Sequence, residues 1–192
     1  TIRSGWLTTG ENAAELERRF AEYTGAKHAL AVSSGTAAMH LALVALGVGA
    51  GDEVITTPIT WPATANVIVH TGATPVFVDV REFDLNIDPE AVAAAVTDRT
   101  KAVMPVHLAG QPADLDLIWA LGLPVIEDAA HAAESEYRGR KIGGLSDATC
   151  FSLYATKNVA AGEGGLVATN RDDVAAAIDD LRVMRRGHGS LY

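Results

Sequence analysis

The chain has 192 residues, of which 48% are hydrophobic and 20% charged, and it carries a formal net charge of -9 with a pI of about 5.0. That length and apolar content suit one domain with a sizeable core, and an acidic chain without a basic cluster argues against nucleic acid or an anionic membrane as partner. The single cysteine, Cys150, excludes an internal disulfide and fits a reducing, cytoplasmic compartment.

In chain order, residues 11–23 place Ala13, Leu16, Phe20 and Tyr23 on one face with charges between them, which predicts an amphipathic helix capped by Gly25. Residues 29–32 read as a short buried strand and 36–46 as a helix. A strand at 53–57, a helix at 63–71 and a strong strand at 75–80 follow. Asp88-Pro89 is an N-cap followed by proline at the first helical position, opening a helix to about residue 96. Strands at 102–106, 125–128, 149–154 and 166–169 surround a short helix at 114–120. A last helix spans 172–186, with Val174, Ile178 and Leu181 on one face. The strands are Val- and Ile-rich without polar alternation, so burial on both faces is expected. The fold class is therefore α/β, a three-layer sandwich with a mostly parallel sheet between helices. Ligands in such sheets bind at the carboxyl ends of the strands. The apolar stretches are too short to cross a bilayer, and the first residues show no signal-peptide pattern.

The residues with chemical potential fall at those strand ends. Lys157 lies among small and apolar neighbours, shortly before Gly162-Glu163-Gly164-Gly165. Asp128 ends an apolar strand, and a buried carboxylate is costly unless paired. Lysine plus strand-end acid suits a Schiff base to pyridoxal 5'-phosphate (PLP), with the acid holding the pyridinium nitrogen; an Asp capping the next turn is the plainer reading. His131 could contact the cofactor's ring oxygen or be an interior histidine. Ser33-Ser34-Gly35-Thr36, between a strand and a helix, is either a phosphate site or an ordinary cap. Trp61 could stack on a pyridine ring or simply pack. Ser152, five residues before Lys157, can face the same ligand. The six histidines lack close-spaced ligand pairs, so no metal site is expected. Neither a P-loop, nor a dinucleotide glycine fingerprint, nor a Gly-x-Ser-x-Gly elbow is present.

Taken in order, these segments resemble a known family. They are Ser4 to Gly10, Ser33-Ser34-Gly35-Thr36-Ala37, Gly51-Asp52-Glu53-Val54-Ile55, Thr60-Trp61-Pro62-Ala63-Thr64-Ala65-Asn66 and Gly72-Ala73-Thr74-Pro75-Val76. Pro105-Val106-His107-Leu108-Ala109-Gly110, Glu127-Asp128-Ala129-Ala130-His131, the Ser152 to Lys157 segment and Gly162-Glu163-Gly164-Gly165 complete the set. The chain resembles the large domain of the DegT/DnrJ/EryC1/StrS sugar aminotransferases, of type I PLP-enzyme fold, and most resembles their UDP-4-amino-4-deoxy-L-arabinose synthase branch. The resemblance implies that Lys157 is the Schiff-base lysine and proton carrier, that Asp128 pairs with the pyridinium nitrogen and that His131 meets the ring hydroxyl. It further implies that Trp61 stacks on the ring and that Gly35, Thr36 and Ser152 hold the phosphate. The implied reaction moves an amino group from an amino-acid donor, L-glutamate, to a keto group of a nucleotide-linked sugar, within a homodimer. Gly5 to Gly10 and the His188 region are candidates for substrate contact.

The same resemblance implies that residues 1–192 form the PLP-binding large domain, without the family's N-terminal lead-in and smaller C-terminal domain. The helix before the Asp128 strand is about a turn shorter than the family pattern. Two rivals stand beside the aminotransferase: a truncated, non-catalytic PLP-fold domain acting in binding or dimerisation, and a PLP-dependent sugar dehydratase. Lys157 argues against the latter, whose relatives replace that lysine. An NAD enzyme is disfavoured by the missing glycine fingerprint.

Overall fold

A computed structural model describes residues 10–182. Helix α1 (Glu11–Thr24) ends at Gly25, whose φ of 71° is the left-handed cap expected from its sequence position. Strand β1 (His28–Val32) leads through Ser34 into α2 (Gly35–Ala45), and the Ser34 side chain caps that helix by accepting from the Ala37 N–H. Strand β2 (Glu53–Thr56), α3 (Ala63–His70) and β3 (Thr74–Phe77) follow. Helix α4 (Pro89–Ala95) opens with the cap expected, Asp88 accepting from the Glu90 N–H. Next come β4 (Thr100–Val103), the short α5 (Leu115–Trp119) and β5 (Ile126–Asp128). A hairpin of β6 (Glu136–Tyr137) and β7 (Arg140–Lys141) precedes β8 (Ala148–Ser152), β9 (Gly165–Thr169) and α6 (Asp172–Arg182).

Seven strands form one surface in the order β3-β2-β4-β5-β8-β9-β1. Strands β3, β2 and β4 pair in parallel, as do β5 and β8. Parallel bridges Val103–Val125 and Val106–Asp128 join β4 to β5. Strand β9 alone runs against its neighbours, β1 and β8. The sheet is thus mostly parallel, as its sequence implied.

Alternate residues of the central strands enter different cores, which makes the molecule three-layered. Ile126, Cys150 and Val167 join Met39 and Leu43 of α2, Val67 of α3 and Ile178 of α6. Phe151, Leu166 and Ala168 point the other way, toward Phe20 of α1 and Leu115 of α5. On that second face Ile55, Val103 and Val125 meet Val92 of α4 and Ile118 of α5. Burying a large aliphatic side chain contributes roughly 1.5–3 kcal/mol, so both faces are needed to hold the sheet.

Three expectations need correcting. Residues 75–80 are not a strand buried on both faces. The strand stops at Phe77, lies at the sheet edge and leaves Phe77 exposed, and Pro75, which lacks an N–H, suits that edge. Beyond it, Val80 makes only an isolated bridge to Ile87. Strands predicted to reach residues 57, 106 and 154 end one, three and two residues sooner, at Thr56, Val103 and Ser152. The β6–β7 hairpin escaped prediction: it turns on Arg138 (φ 50°) and Gly139 (φ 75°), and each strand has only two residues, too few to show alternation. The expected extension of the last helix to residue 186 lies outside the described residues.

Candidate active site

The site is assembled where β1, β5 and β8 end. Strand β5 finishes at Asp128, whose N–H donates to the Pro105 carbonyl (2.9 Å) and whose carbonyl accepts from the His107 N–H (3.0 Å). The carboxylate is 4% exposed. Its cost of burial is met by hydrogen bonds: Oδ2 accepts from the Thr64 hydroxyl (2.8 Å) and Oδ1 from the Ala130 N–H (3.1 Å). Thr64 stands in the first turn of α3, and its hydroxyl also meets that of Thr60 at 2.7 Å.

After Asp128 the chain turns tightly, with the Ala132 N–H donating to the Ala129 carbonyl, and carries His131 to an exposed position in which its ring stays partly buried. There His131 Nε2 lies 2.6 Å from Lys157 Nζ. Lys157 sits on the loop joining antiparallel β8 and β9. That loop is closed at its base by the Leu153 N–H on the Gly164 carbonyl and the Ala161 N–H on the Leu153 carbonyl. It is tied to the turn after β5 a second time, Asn158 donating to the Glu134 carboxylate. Burial first, and then the charge of Lys157, hold the His131 pKa below its ordinary 6.5, with Asp128 acting in the opposite sense. A neutral His131 can therefore accept from the Lys157 ammonium.

The third part is a close approach of three segments, at Gly35, Ser152 and Gly165. Gly165 pairs with both Val32 of β1 and Ser152 of β8, so these two strand ends flank it. A Cβ added to Gly35 would lie 2.9 Å from the Ser152 Cβ, and one added to Gly165 would overlap the Ser34 carbonyl. Only glycine lets the three segments close up here. Among the described residues the N–H groups of Gly35 and Thr36 have no hydrogen-bond acceptor, as expected for a helix start. Free N–H groups at the start of α2, with the Ser152 side chain beside Gly35, suit a phosphate.

Behind the site lies a buried network that sequence reasoning passed over. His107 and Glu127 have fully buried side chains, with His107 Nε2 2.7 Å from Glu127 Oε2. The Ala113 N–H donates to His107 Nδ1 and the Thr149 hydroxyl to Glu127 Oε1. Nδ1 is thereby the acceptor, leaving the imidazole proton on Nε2. His107 had been set aside as one of six scattered histidines, and no local pattern marks a pair twenty residues apart. Sequence reasoning likewise misses Thr64 as the hydroxyl on Asp128 and Thr60 as the partner of Thr64, although both lie in the segment around Trp61. Trp61 is 80% exposed. The residues 5–9 and His188, candidates for substrate contact, lie outside the described residues. Among the described residues no cluster of three or more metal-ligating side chains exists, and no helix is long and apolar enough to cross a membrane.

A mostly parallel α/β sandwich of this kind is the architecture of the PLP-dependent aminotransferases. The chain belongs to the DegT/DnrJ/EryC1/StrS aminotransferase family, whose model matches residues 1–190. It is 55% identical over 188 residues to the spore coat polysaccharide biosynthesis protein SpsC of Bacillus subtilis, a match that covers 96% of this chain and 48% of that protein. Among solved structures it is similar to DesV of S. venezuelae, at 42% identity and a TM-score of 0.94, covering 98% of this chain and 53% of that one. It is also similar to DesI solved in the presence of its TDP-sugar product, at 41% identity and a TM-score of 0.92, covering 97% and 48%. The chain spans about half the length of the curated relatives it matches.

The family's aminotransferases depend on PLP, and the residues present fit that group. The free N–H groups of Gly35 and Thr36, with Ser152 close by, suit a phosphate, and Asp128 offers a buried carboxylate for a protonated ring nitrogen. Lys157 supplies an amine on the adjoining loop.

Proposed function

We propose that this chain is the PLP-binding large domain, spanning residues 1–192, of an enzyme that transfers an amino group from an amino-acid donor, L-glutamate, to a keto group of a nucleotide-linked sugar. The observation that carries the reading is the 2.6 Å approach of Lys157 Nζ to His131 Nε2, on the loop beside Asp128 and the Gly35–Ser152 cradle. The TDP-sugar product of the related DesI supports a nucleotide-linked substrate.

In this reading Lys157 is the covalent anchor and Asp128 the partner of the ring nitrogen. Gly35, Thr36 and Ser152 hold the phosphate, and Trp61 covers the ring. Bound PLP supplies an electron sink for negative charge at the substrate carbon. Lys157 Nζ would also be the group that takes up and returns the proton at the substrate carbon. His131, kept neutral by burial and by Lys157, accepts a hydrogen bond at Nε2 and donates through its other nitrogen. Exposed Ile59, Trp61, Tyr154 and Val159, all on loops near the site, support a second copy of the chain as their cover, hence a homodimer. The acidic composition and single, buried cysteine support a cytoplasmic enzyme.

The test is to mix the protein with PLP, record the visible absorption band, fix it with borohydride and map the modified peptide. A band fixed on Lys157 and lost in Lys157→Ala upholds the reading, and L-glutamate with keto-sugar nucleotides then gives turnover. A folded protein without a band refutes it and leaves the non-catalytic domain.

A further inference from the structure

We propose that Thr64, loaded by Thr60, is a positioning residue that sets the rotation of the Asp128 carboxylate toward the cofactor ring and fixes Trp61 with it. This rests on the functional reading above and deepens it. Three observations carry the inference.

First, the hydrogen bonds form a directed chain. Thr64 is fully buried and spends its single hydroxyl proton on Asp128 Oδ2 at 2.8 Å. Its contact with Thr60, at 2.7 Å, must therefore be donated by Thr60. The order runs Thr60 to Thr64 to Asp128, and each hydroxyl strengthens the next as donor.

Second, the carboxylate is held at both oxygens. The Ala130 N–H takes Oδ1 at 3.1 Å while Thr64 takes Oδ2. Two donors from different elements, the turn after β5 and the first turn of α3, define the carboxyl plane. Removing either leaves rotation about the Cβ–Cγ bond restrained by a single donor. No cation pairs with Asp128 among the described residues, so neutral donors alone set its direction.

Third, the same donors bracket Trp61. Thr60 precedes it, Thr64 follows, and the Thr64 N–H donates to the Trp61 carbonyl at 3.1 Å. One helical turn thus carries both the support of the ring-nitrogen acid and the aromatic that would cover the ring. With the indole 80% exposed, this turn, rather than side-chain packing, fixes where Trp61 stands.

The experiment compares wild type, Thr64→Val, Thr64→Ser and Thr60→Val in PLP titrations, followed by visible absorption and visible circular dichroism of the bound cofactor. Valine matches threonine in shape and lacks the donor; serine keeps it. The expected result is an affinity about tenfold weaker for Thr64→Val, with a reduced visible dichroism, and a Thr64→Ser affinity within about twofold of wild type. Thr60→Val shifts both readings in the same direction by less. If Thr64→Val fails to fold, as its melting curve would reveal, Thr60→Val decides, and wild-type readings there overturn the proposal. A Thr64→Val protein with wild-type affinity and dichroism, or a Thr64→Ser protein equally impaired, also overturns it. Wild type without a Lys157 adduct refutes the functional reading and this inference together, whereas an adduct with unmoved variants refutes the inference alone.

Discussion

Gly35 and Ser152 approach so closely that a Cβ on Gly35 would lie 2.9 Å from the Ser152 Cβ, although 117 positions separate them in the numbering. Gly165 brings them together, pairing with β1 on one side and β8 on the other. Gly35→Ala should cost about 1–3 kcal/mol in urea unfolding through overpacking, and should weaken phosphate and PLP binding. Gly165→Ala should cost more, since its Cβ would overlap the Ser34 carbonyl, which is backbone and cannot swing aside. Equal stability of both variants and wild type would show that the cradle opens freely.

The buried His107–Glu127 pair gives a second expectation. In His107→Ala the Glu127 carboxyl keeps only Thr149 in a dry interior. Stability should fall by about 3 kcal/mol in chemical denaturation. Glu127→Gln retains a carbonyl for His107 Nε2 and should be distinctly milder. The reverse order would contradict the tautomer assigned from the Ala113 N–H.

His131 predicts a pH effect of defined sign. Its folded pKa lies below the ordinary 6.5, first through burial and then through Lys157. The folded protein therefore resists a proton that the unfolded chain accepts. This contribution to stability is complete above pH 6.5 and is lost as pH falls toward the folded value. NMR titration of the His131 ring should place its midpoint under 6.5. Lys157→Met should raise that midpoint but leave it short of 6.5, because burial persists. Asp128→Asn should lower it further. A midpoint unmoved by Lys157→Met would dissolve the coupling between the two side chains.

Much of this was legible in the chain itself. The Val- and Ile-rich runs and the Gly25 and Asp88-Pro89 caps set the alternation of strands and helices, because periodicity and capping act within one turn or strand. The strand-end positions of Lys157, Asp128, His131, Gly35 and Ser152 followed from that alternation alone. Short or irregular pieces were not legible: β6 and β7 have two residues each, too few for any period to appear.

Sequence also did not reveal which groups meet. Residues 75–80 carry the composition of a central strand, and only the order of the sheet put Pro75 at an edge and left Phe77 open. Thr64 looks like an ordinary helix-start residue until β5 delivers Asp128 to its hydroxyl, and His107 is one of six histidines until β4 and β5 pair. The sequence by itself determined the longer elements, the fold class and the inventory of reactive side chains, since these depend on neighbours along the chain. The tertiary structure decided which donor faces which acceptor, because that depends on strands far apart in sequence closing to hydrogen-bond distance.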